Sequence, residues 1–183
     1  MAYAGKTIES PDTRLVFEKT SKDTGGKLLR FRQFVRAGHA PVPAHVHGSQ
    51  EERFVVLSGR MGVRSGGRER ILEAGEEAVV PPGVPHTFWN ASPDGEVLHQ
   101  AVELWPALDS ERFFETVFGL RRDGELVEGR PPNPLMMAPV VVRYENWLAG
   151  PPVILQRLLF PPLAILGRLL GYRASYPRYS DDR

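Results

Sequence analysis

Cysteine is absent from this chain of 183 residues. Its absence excludes disulfide bonds, thiolate metal ligands, cysteine nucleophiles and thiol redox chemistry. Any metal site must therefore use histidine, aspartate or glutamate. The amino-terminal segment also lacks the apolar run of a secretory signal peptide, so we expect a cytoplasmic protein.

An excess of charge of either sign is also absent. Lysine and arginine number 23 and aspartate and glutamate 22, which leaves a formal net charge of +1. Nucleic-acid-binding domains usually carry a strongly basic surface, so we expect no nucleic-acid partner. The function should therefore depend on a localised site.

Length and composition indicate one compact domain with a modest extension. Hydrophobic residues make up 42% of the chain and charged residues 25%, values near the average for globular proteins. Glycine and proline contribute 18 and 17 residues, a content typical of short strands joined by tight turns. The composition therefore favours short strands around a buried core.

Strand-like segments separated by turn residues fill the first half of the chain. In Lys27–Arg36, alternate residues share one predicted face, namely Leu29, Phe31, Gln33 and Val35. Six further strands are predicted, and they are Phe54–Leu57, Met61–Arg64, Arg68–Leu72, Ala78–Pro81, His86–Asn90 and Val97–Trp105. Short strands at this spacing predict a sandwich or a barrel.

The second half of the chain has a helical pattern. Ser110–Gly119 predicts a short helix with its N-cap at Asp109 or Ser110 and Gly119 near its C-cap. A second helix is predicted over Leu135–Leu148. We therefore divide the chain into a β domain, residues 1–106, and a helical extension, residues 107–183, that packs on the β domain or on a partner.

The segment Val153–Tyr172 is strongly apolar. Arg157 and Arg168 interrupt it, so it has no run of 18 apolar residues and is not expected to span a membrane. Pro161-Pro162 is expected to break its helix. Three roles stay open for this tail: packing over the barrel or its mouth, dimerisation, and contact with a membrane surface. The net charge of +3 over residues 151–183, five arginines less two aspartates, favours the last role.

Two imidazoles lie two residues apart in His45-Val46-His47. A strand places both on the same face, which is how a strand offers two ligands to one metal ion. Glu52 lies an odd five residues beyond His47, so a regular strand would direct it away. The turn-forming residues Gly48-Ser49-Gln50 can restore its direction.

A second segment combines turn residues with another histidine. Gly75 is followed by five residues and then by Pro81-Pro82-Gly83-Val84-Pro85-His86. The prolines and the glycine predict a rigid turn that aims His86. Asn90 follows four residues later, on the same face of a regular strand.

Together these spacings resemble the two signature motifs of the cupin superfamily. The first reads His-x-His, four residues, Glu, six residues, Gly, and ends here at Gly59; the second reads Gly, five residues, Pro-x-Gly, two residues, His, three residues, Asn. Gly38 departs from the pattern, because six residues rather than five separate it from His45. The resemblance covers about Leu28 to Trp105.

The resemblance implies an all-β fold, a cupin jelly-roll β-barrel of six to eight strands, followed here by the α-helical extension. It implies one divalent metal ion near the middle of the barrel, with four ligands, His45, His47, Glu52 and His86. Iron is the first expectation, and manganese, zinc, nickel, cobalt or copper suit the same ligand types. Three imidazoles and one carboxylate leave one or two positions open for water or substrate, as in a catalytic site.

Two glutamines interrupt otherwise apolar faces that are predicted to point inward. Gln33 and Gln100 are therefore candidates for orienting a substrate or a metal-bound water. The alternative is that they satisfy each other, since a buried amide needs partners. His39 is expected to be exposed in a turn, and His99 to face outward or to pack.

We therefore expect a metal-dependent cupin enzyme that acts on a small, apolar or aromatic organic molecule. The reaction would be that of a dioxygenase, or that of a Lewis-acid isomerase, decarboxylase or cyclase. The alternative is a non-catalytic module that binds a small molecule. A homodimer is expected, because pairing would cover exposed sheet edges.

Overall fold

The structure, a computed structural model, describes residues 2–180. Within them the chain forms eleven strands and four helices. In chain order these are β1 Thr7–Glu9, β2 Thr13–Lys19, α1 Ser21–Thr24, β3 Leu29–Val35, β4 His45–His47, β5 Glu51–Ser58, β6 Met61–Ser65, β7 Arg68–Leu72, β8 Glu77–Val80, β9 His86–Asn90, β10 Leu98–Trp105, α2 Ser110–Arg122, α3 Pro134–Tyr144, β11 Asn146–Leu148 and α4 Val153–Leu169.

The strands form two antiparallel sheets. One has six strands in the order β1-β2-β3-β10-β5-β8, and the other has five in the order β11-β4-β9-β6-β7. Their inner faces share one apolar core, in which Phe17, Phe31 and Phe54 are fully buried. Burying an aromatic or aliphatic side chain of this size contributes about 1.5–3 kcal/mol, so this core holds the two sheets together.

This double-sheet jelly roll with a helical extension confirms the predicted fold class. All seven predicted strands form, and eight strands, β3 to β10, lie within the segment that resembles cupins. The closed barrel is a correction, because within residues 2–180 no backbone ladder joins the two sheets and side-chain packing does so instead. The number of strands exceeds eight because β1, β2 and β11 lie outside that segment.

Helix α2 covers one end of the core. The ring of Phe114 packs edge-on against Phe31, with the centroids 4.8 Å apart. The helix begins after Asp109 as predicted, but it ends at Arg122 rather than near Gly119. Gly119 is needed for another reason, since a Cβ there would lie 2.3 Å from the ring of Tyr179. The predicted C-cap was therefore wrong.

The predicted helix Leu135–Leu148 divides into a helix and a strand. Helix α3 ends at Tyr144 because Glu145 adopts a left-handed conformation, with φ 51°, which reverses the chain direction as in other helix C-termini. The next three residues form β11, which pairs with the whole of β4. The extension therefore contributes a strand to the five-stranded sheet.

Helix α4 continues through Pro161-Pro162, so the predicted break is also wrong. Two prolines remove the N–H donors that would bond the carbonyls of Arg157 and Leu158, four residues earlier. Both of those residues are exposed, so water can satisfy the freed carbonyl groups.

Helices α3 and α4 of the extension meet at a glycine. Pro139 of α3 has no N–H to donate to the carbonyl of Leu135, and Gly167 of α4 packs directly on that carbonyl. A Cβ at residue 167 would lie 2.2 Å from the Leu135 oxygen. A further apolar cluster, made by Val46, Trp147, Val141 and the adjacent Phe160, joins these helices to the five-stranded sheet.

A substitution at Gly62 can test the packing of β9, the strand that carries His86. Trp89 lies over Gly62 of the neighbouring strand, and a Cβ at residue 62 would lie 2.0 Å from its indole ring. We expect Gly62→Ala to lower the free energy of unfolding by about 1–3 kcal/mol through overpacking, measured by urea denaturation. Adding Trp89→Phe should recover part of that loss, and an undiminished loss in the double variant would contradict a steric cause.

The carboxylate of Asp12 links the turn between β1 and β2 to helix α2, and a substitution there tests this link. Its carboxylate accepts hydrogen bonds from Ser10 Oγ at 2.9 Å and from Arg121 at 2.8 Å. Burial opposes its ionisation, but these two partners outweigh burial and hold the pKa of Asp12 below its ordinary value of 3.8. A lowered pKa stabilises the fold above that ordinary value, and the contribution is lost as the pH falls through the folded-state pKa.

We therefore expect Asp12→Asn to destabilise the protein near neutral pH by about 1.5–3 kcal/mol, the range for hydrogen bonds to a charged group. The difference from the unsubstituted chain should shrink in acid. Thermal denaturation at a series of pH values measures it, with the exposed Asp94→Asn as the control. A pH-independent difference would show that the charge of Asp12 is not its cause.

Candidate metal centre

Strand β4 presents two histidines to the space between the sheets. His45 and His47 share its inner face, while Val46 points outward and is buried against Trp147. On one side β4 pairs with β9 only at His45 and His86; on the other side it pairs with β11 along its full length. The position of both imidazoles therefore depends on the carboxy-terminal extension.

The predicted turn between β4 and β5 brings Glu52 to the same space. Gly48 N–H donates to the carbonyl of Glu145 at 3.1 Å. The Gln50 side chain donates to the carbonyl of Pro106 at 2.7 Å and to Ser110 Oγ at 2.9 Å. These bonds fix the turn, so Glu52 begins β5 with its carboxylate directed at the histidines.

The second turn aims His86 as predicted. Gly83 adopts a positive φ of 79°, and its N–H donates to the carbonyl of His47 at 2.9 Å, so the turn is bonded directly to β4. The Nδ1 atom of His86 lies 3.1 Å from the carbonyl oxygen of Val84. A carbonyl can only accept, so Nδ1 carries the proton and Nε2 faces the cluster.

His45 is oriented in the same way. Its Nδ1 lies 2.9 Å from the carbonyl oxygen of Pro43, which leaves Nε2 free to bind an ion. Among the four residues, His45 is half-buried, whereas His47, Glu52 and His86 are buried. The cluster is therefore accessible on the side of His45.

The four side chains form one compact group. Ligand atoms of His45, His47, Glu52 and His86 all lie within 4.8 Å of one another. His86 Nε2 lies 2.8 Å from Glu52 Oε2, and His47 Nε2 lies 3.3 Å from the same oxygen. The structure thus brings together the four residues that the sequence motifs single out.

The charges of the group follow from burial and from these contacts. Burial alone would raise the pKa of Glu52, but His47 and His86 outweigh it and hold the pKa of the carboxyl well below its usual range. Burial alone would lower the pKa of His86, but Glu52 outweighs it and raises that pKa. Desolvation, followed by the neighbouring histidines, lowers the pKa of His45 to about 3. Without an ion, the contact between Glu52 and His86 therefore favours a carboxylate paired with an imidazolium.

His47 supplies the test of whether a metal ion fits this group. Both of its ring nitrogens are buried; Nδ1 has no hydrogen-bond partner among the described residues, and Nε2 makes only the 3.3 Å contact with Glu52, which lacks hydrogen-bond geometry. A buried polar atom without a partner is costly, and coordination to an ion removes that cost at one nitrogen. Three imidazoles with one carboxylate suit divalent first-row transition metals. The residues present therefore fit a metal ion.

A second group of possible ligands differs in this respect. Asp12, His39 and Glu128 also approach within 4.8 Å, but Glu128 already accepts from the Ala40 N–H and contacts His39 Nδ1 at 3.0 Å. Asp12 is held by its Ser10 and Arg121 partners. His39, expected in an exposed turn, is half-buried in this ion pair. The carboxylates of this group thus already accept hydrogen bonds from donors outside the group.

The two candidate glutamines do not join the metal-ligand group. Gln100 Nε2 donates to Gln33 Oε1 at 2.9 Å, and both side chains are buried. The strand register places Gln100 four residues from Leu104, the partner of Glu52, which is about 13 Å along a strand. The two side chains are therefore bonded to each other, the alternative left open by the sequence, at a distance from the four candidate ligands. Gln100 Oε1 is buried without a hydrogen-bond partner among the described residues.

Residues of β11 join the site although their sequence predicted a helix. Asn146 pairs with His47, and Leu148 pairs with His45. Directly opposite residues of an antiparallel pair point to the same side of the sheet, so both side chains lie beside the two candidate ligands of β4. Leu148 is 44% exposed. A three-residue strand has too little alternation to be recognised in the sequence.

Other residues near the motifs have structural roles. His99 stacks on Phe34 with the ring centroids 4.2 Å apart, as expected for a packing residue. Asn90 donates to the carbonyls of Val35 and Glu96. A cavity of about 320 Å³, lined by residues 41–44, Arg64, Thr87 and Trp89, lies on the outer face of β9, away from His86.

Comparison with known proteins agrees with this architecture. Residues 31–98 match the family model described as the cupin domain. A protein of Arthrobotrys oligospora named as an oxidoreductase is 27% identical over 167 residues, which are 84% of this chain and 64% of that protein. A second oxidoreductase, from Pestalotiopsis fici, is 28% identical over 132 residues, which are 67% of this chain and 65% of that protein. The chain thus spans less than two thirds of the length of either curated relative.

Solved structures share the fold at lower sequence identity. KdgF from a Halomonas species superposes with a TM-score of 0.50 at 18% identity, over 58% of this chain and 92% of that one. A predicted oxalate decarboxylase from Thermotoga maritima gives 0.50 at 16% identity, over 58% and 98%. These likenesses concern the fold alone. The family model, the fold and both motif spacings agree that residues 31–98 of this chain form a cupin domain.

Proposed function

We propose that this protein is a metal-dependent oxidoreductase that acts on a small apolar or aromatic organic molecule. One divalent ion, iron in the first instance, would be held by His45, His47, Glu52 and His86. The observation that carries the proposal is the environment of His47. Both of its ring nitrogens are buried, neither makes a hydrogen bond among the described residues, and Nε2 faces Glu52 of the same cluster at 3.3 Å. The names of the two curated relatives support redox chemistry over Lewis-acid chemistry.

The residues around the cluster define its chemistry. Hydrogen bonds to the carbonyls of Pro43 and Val84 hold the rings of His45 and His86 with Nε2 inward. Glu52 and His86 share one proton, and its release leaves Oε2 and Nε2 as ligand atoms. A redox-active ion bound there would supply one-electron chemistry and Lewis acidity toward oxygen or nitrogen atoms of the substrate.

The walls around the cluster favour an apolar substrate. The neighbours of Glu52 on the adjoining strands are Val80 and Leu104, both buried. The rings of Phe54 and Phe88 pack together, and the Phe54 centroid lies 6.5 Å from that of His86. These side chains are buried in the core and make the surroundings of the cluster apolar, so we expect an apolar or aromatic molecule that enters beside His45 and Leu148 to suit the site better than a charged one.

The first prediction concerns metal content. Protein purified without chelator and without a metal-affinity column is expected to carry about one divalent ion per chain, since the group offers one set of ligands. Adding back the ion at about 100 times its dissociation constant should stabilise the metal-free protein by about 2.7 kcal/mol. Elemental analysis and thermal denaturation measure the two effects.

The matched comparison is between two histidine substitutions. His47→Ala removes a ligand, so both effects should disappear, whereas His99→Ala removes an imidazole that stacks on Phe34 and should leave both unchanged. Circular dichroism checks that both variants fold. Equal metal content in His47→Ala and in the unsubstituted chain would contradict the assigned ligands.

The second prediction concerns turnover. Iron-loaded protein is expected to consume dioxygen when it is offered members of a panel of aromatic and enol compounds, measured with an oxygen electrode and by product analysis. His86→Ala should reduce uptake to the background rate, because the Glu52 pair and one ligand are lost together, and His99→Ala should not.

Two other results would replace this proposal. Turnover of a compound without oxygen uptake, supported by zinc, manganese or nickel, would indicate Lewis-acid isomerisation, decarboxylation or cyclisation. A compound that raises the thermal stability but remains chemically unchanged over hours would indicate a binding module. Either result contradicts oxidoreductase activity. Neither result bears on the metal site, which the elemental analysis tests separately.

A further inference from the structure

Helix α4 leaves one side of its surface apolar and exposed. Its opposite side is already used, since Gln156, Ala164 and Gly167 are buried against the rest of the fold. Eight large apolar side chains between Ile154 and Leu170 are 46–79% exposed. A contiguous exposed apolar surface of this kind marks a contact site with a partner or a membrane.

The arginines of α4 border this face. At the helical rotation of about 100° per residue, the exposed apolar side chains span about 160° of the helix circumference without a charged residue. Arg157 and Arg168, eleven residues apart, lie together along one margin of that arc. Within residues 2–180 no carboxylate forms an ion pair with either arginine, and Arg157 lies over the ring of Trp147.

Within the described residues, the segment that contains α4 carries charge of one sign. Residues 146–180 contain four arginines and neither aspartate nor glutamate. An apolar face beside unpaired arginines is complementary to a surface that combines acyl chains with negative headgroups. A second copy packed antiparallel is a poorer complement, because a two-fold axis perpendicular to the helices would bring the arginine margin of each helix toward that of the other.

The fold keeps this face directed outward. The Gln156 side chain accepts from the Leu148 N–H and donates to the carbonyls of Leu148 and Pro151, at 2.8–3.0 Å. Gly167 packs on the Leu135 carbonyl. These contacts anchor α4 to β11 and to α3 at both ends of its buried side, so the exposed side chains are not free to turn inward.

We propose that the exposed face of α4 docks on an anionic lipid surface. The apolar side chains enter the boundary between headgroups and acyl chains, and Arg157 and Arg168 contact the lipid phosphates. The helix lies in the plane of the membrane: it has 17 residues, and none of the helices within residues 2–180 is both long and apolar enough to cross a bilayer.

Flotation of the full chain with lipid vesicles tests the proposal. Protein should float with phosphatidylcholine vesicles that contain phosphatidylserine, float poorly with phosphatidylcholine alone, and be released by high salt. Each arginine near an anionic surface strengthens binding a little more than about fivefold. The double substitution Arg157→Gln with Arg168→Gln should therefore weaken vesicle binding about thirtyfold. Arg68→Gln with Arg70→Gln, two exposed arginines on β7, is the control.

The apolar contribution needs its own pair of variants. Leu158→Gln with Leu169→Gln replaces two side chains that are 68% and 79% exposed, and should reduce vesicle binding at least about tenfold. Ile71→Gln with Val79→Gln makes the same change at exposed positions of the two sheets, 49% and 45% exposed, and should bind like the unsubstituted chain. Unchanged melting temperatures exclude misfolding.

Three results would overturn the proposal. These are absence of flotation, equal flotation with neutral vesicles, and a dimer that sedimentation shows to depend on Leu158 and Leu169 without vesicle binding. The last would identify a second copy as the occupant of the face. Because the assay needs no metal, His47→Ala should float normally, so its outcome is independent of the metal centre.

Discussion

The short strand β4 is held by backbone pairing on both sides, and the geometry of the site depends on that pairing. A strand of three residues has few bonds of its own, and it meets β9 at a single position, His45 opposite His86. Its full pairing is with β11, supplied about a hundred residues later in the chain. Antiparallel pairing also fixes which face each side chain takes, so the extension keeps both imidazoles of β4 on the inner face.

The turns that precede β5 and β9 are also held by hydrogen bonds to distant segments. One turn is bonded to the start of α2 through Gln50, and the other to the carbonyl of His47 through Gly83. Backbone and side-chain amides therefore position the candidate ligands, whose Nε2 and Oε2 atoms contact one another rather than groups outside the cluster. The group of Asp12, His39 and Glu128 differs, because there the carboxylates accept hydrogen bonds from donors outside the group.

The extension connects the site to the surface of the molecule. The Gln156 side chain of helix α4 is hydrogen-bonded to the backbone of Leu148, and Leu148 pairs with His45. The exposed side of α4 is thus connected to the accessible side of the cluster through Gln156, Leu148 and His45. An apolar substrate and an apolar docking surface are consistent with each other, since a membrane surface concentrates apolar molecules.

Alternation and motif spacing were sufficient to predict the central strands and the four clustered side chains. The alternation of Leu29, Phe31 and Val35 is confirmed by their burial, and a two-residue spacing places His45 and His47 on one face whatever surrounds them. Both signals are local, because side-chain direction in a strand follows from backbone geometry alone.

The elements that the sequence predicted wrongly depend on contacts between distant segments. Nothing local indicates that Glu145 ends a helix, that Gly119 receives the ring of Tyr179 or that Gly167 packs on a carbonyl freed by Pro139. Gln33 and Gln100 could be assigned to each other only once the pairing of β3 with β10 was known. The sequence by itself determined the fold class and the candidate ligands, because these follow from short-range periodicity. The tertiary structure alone decided how the extension completes the site, because that requires pairing and packing between residues far apart in the chain.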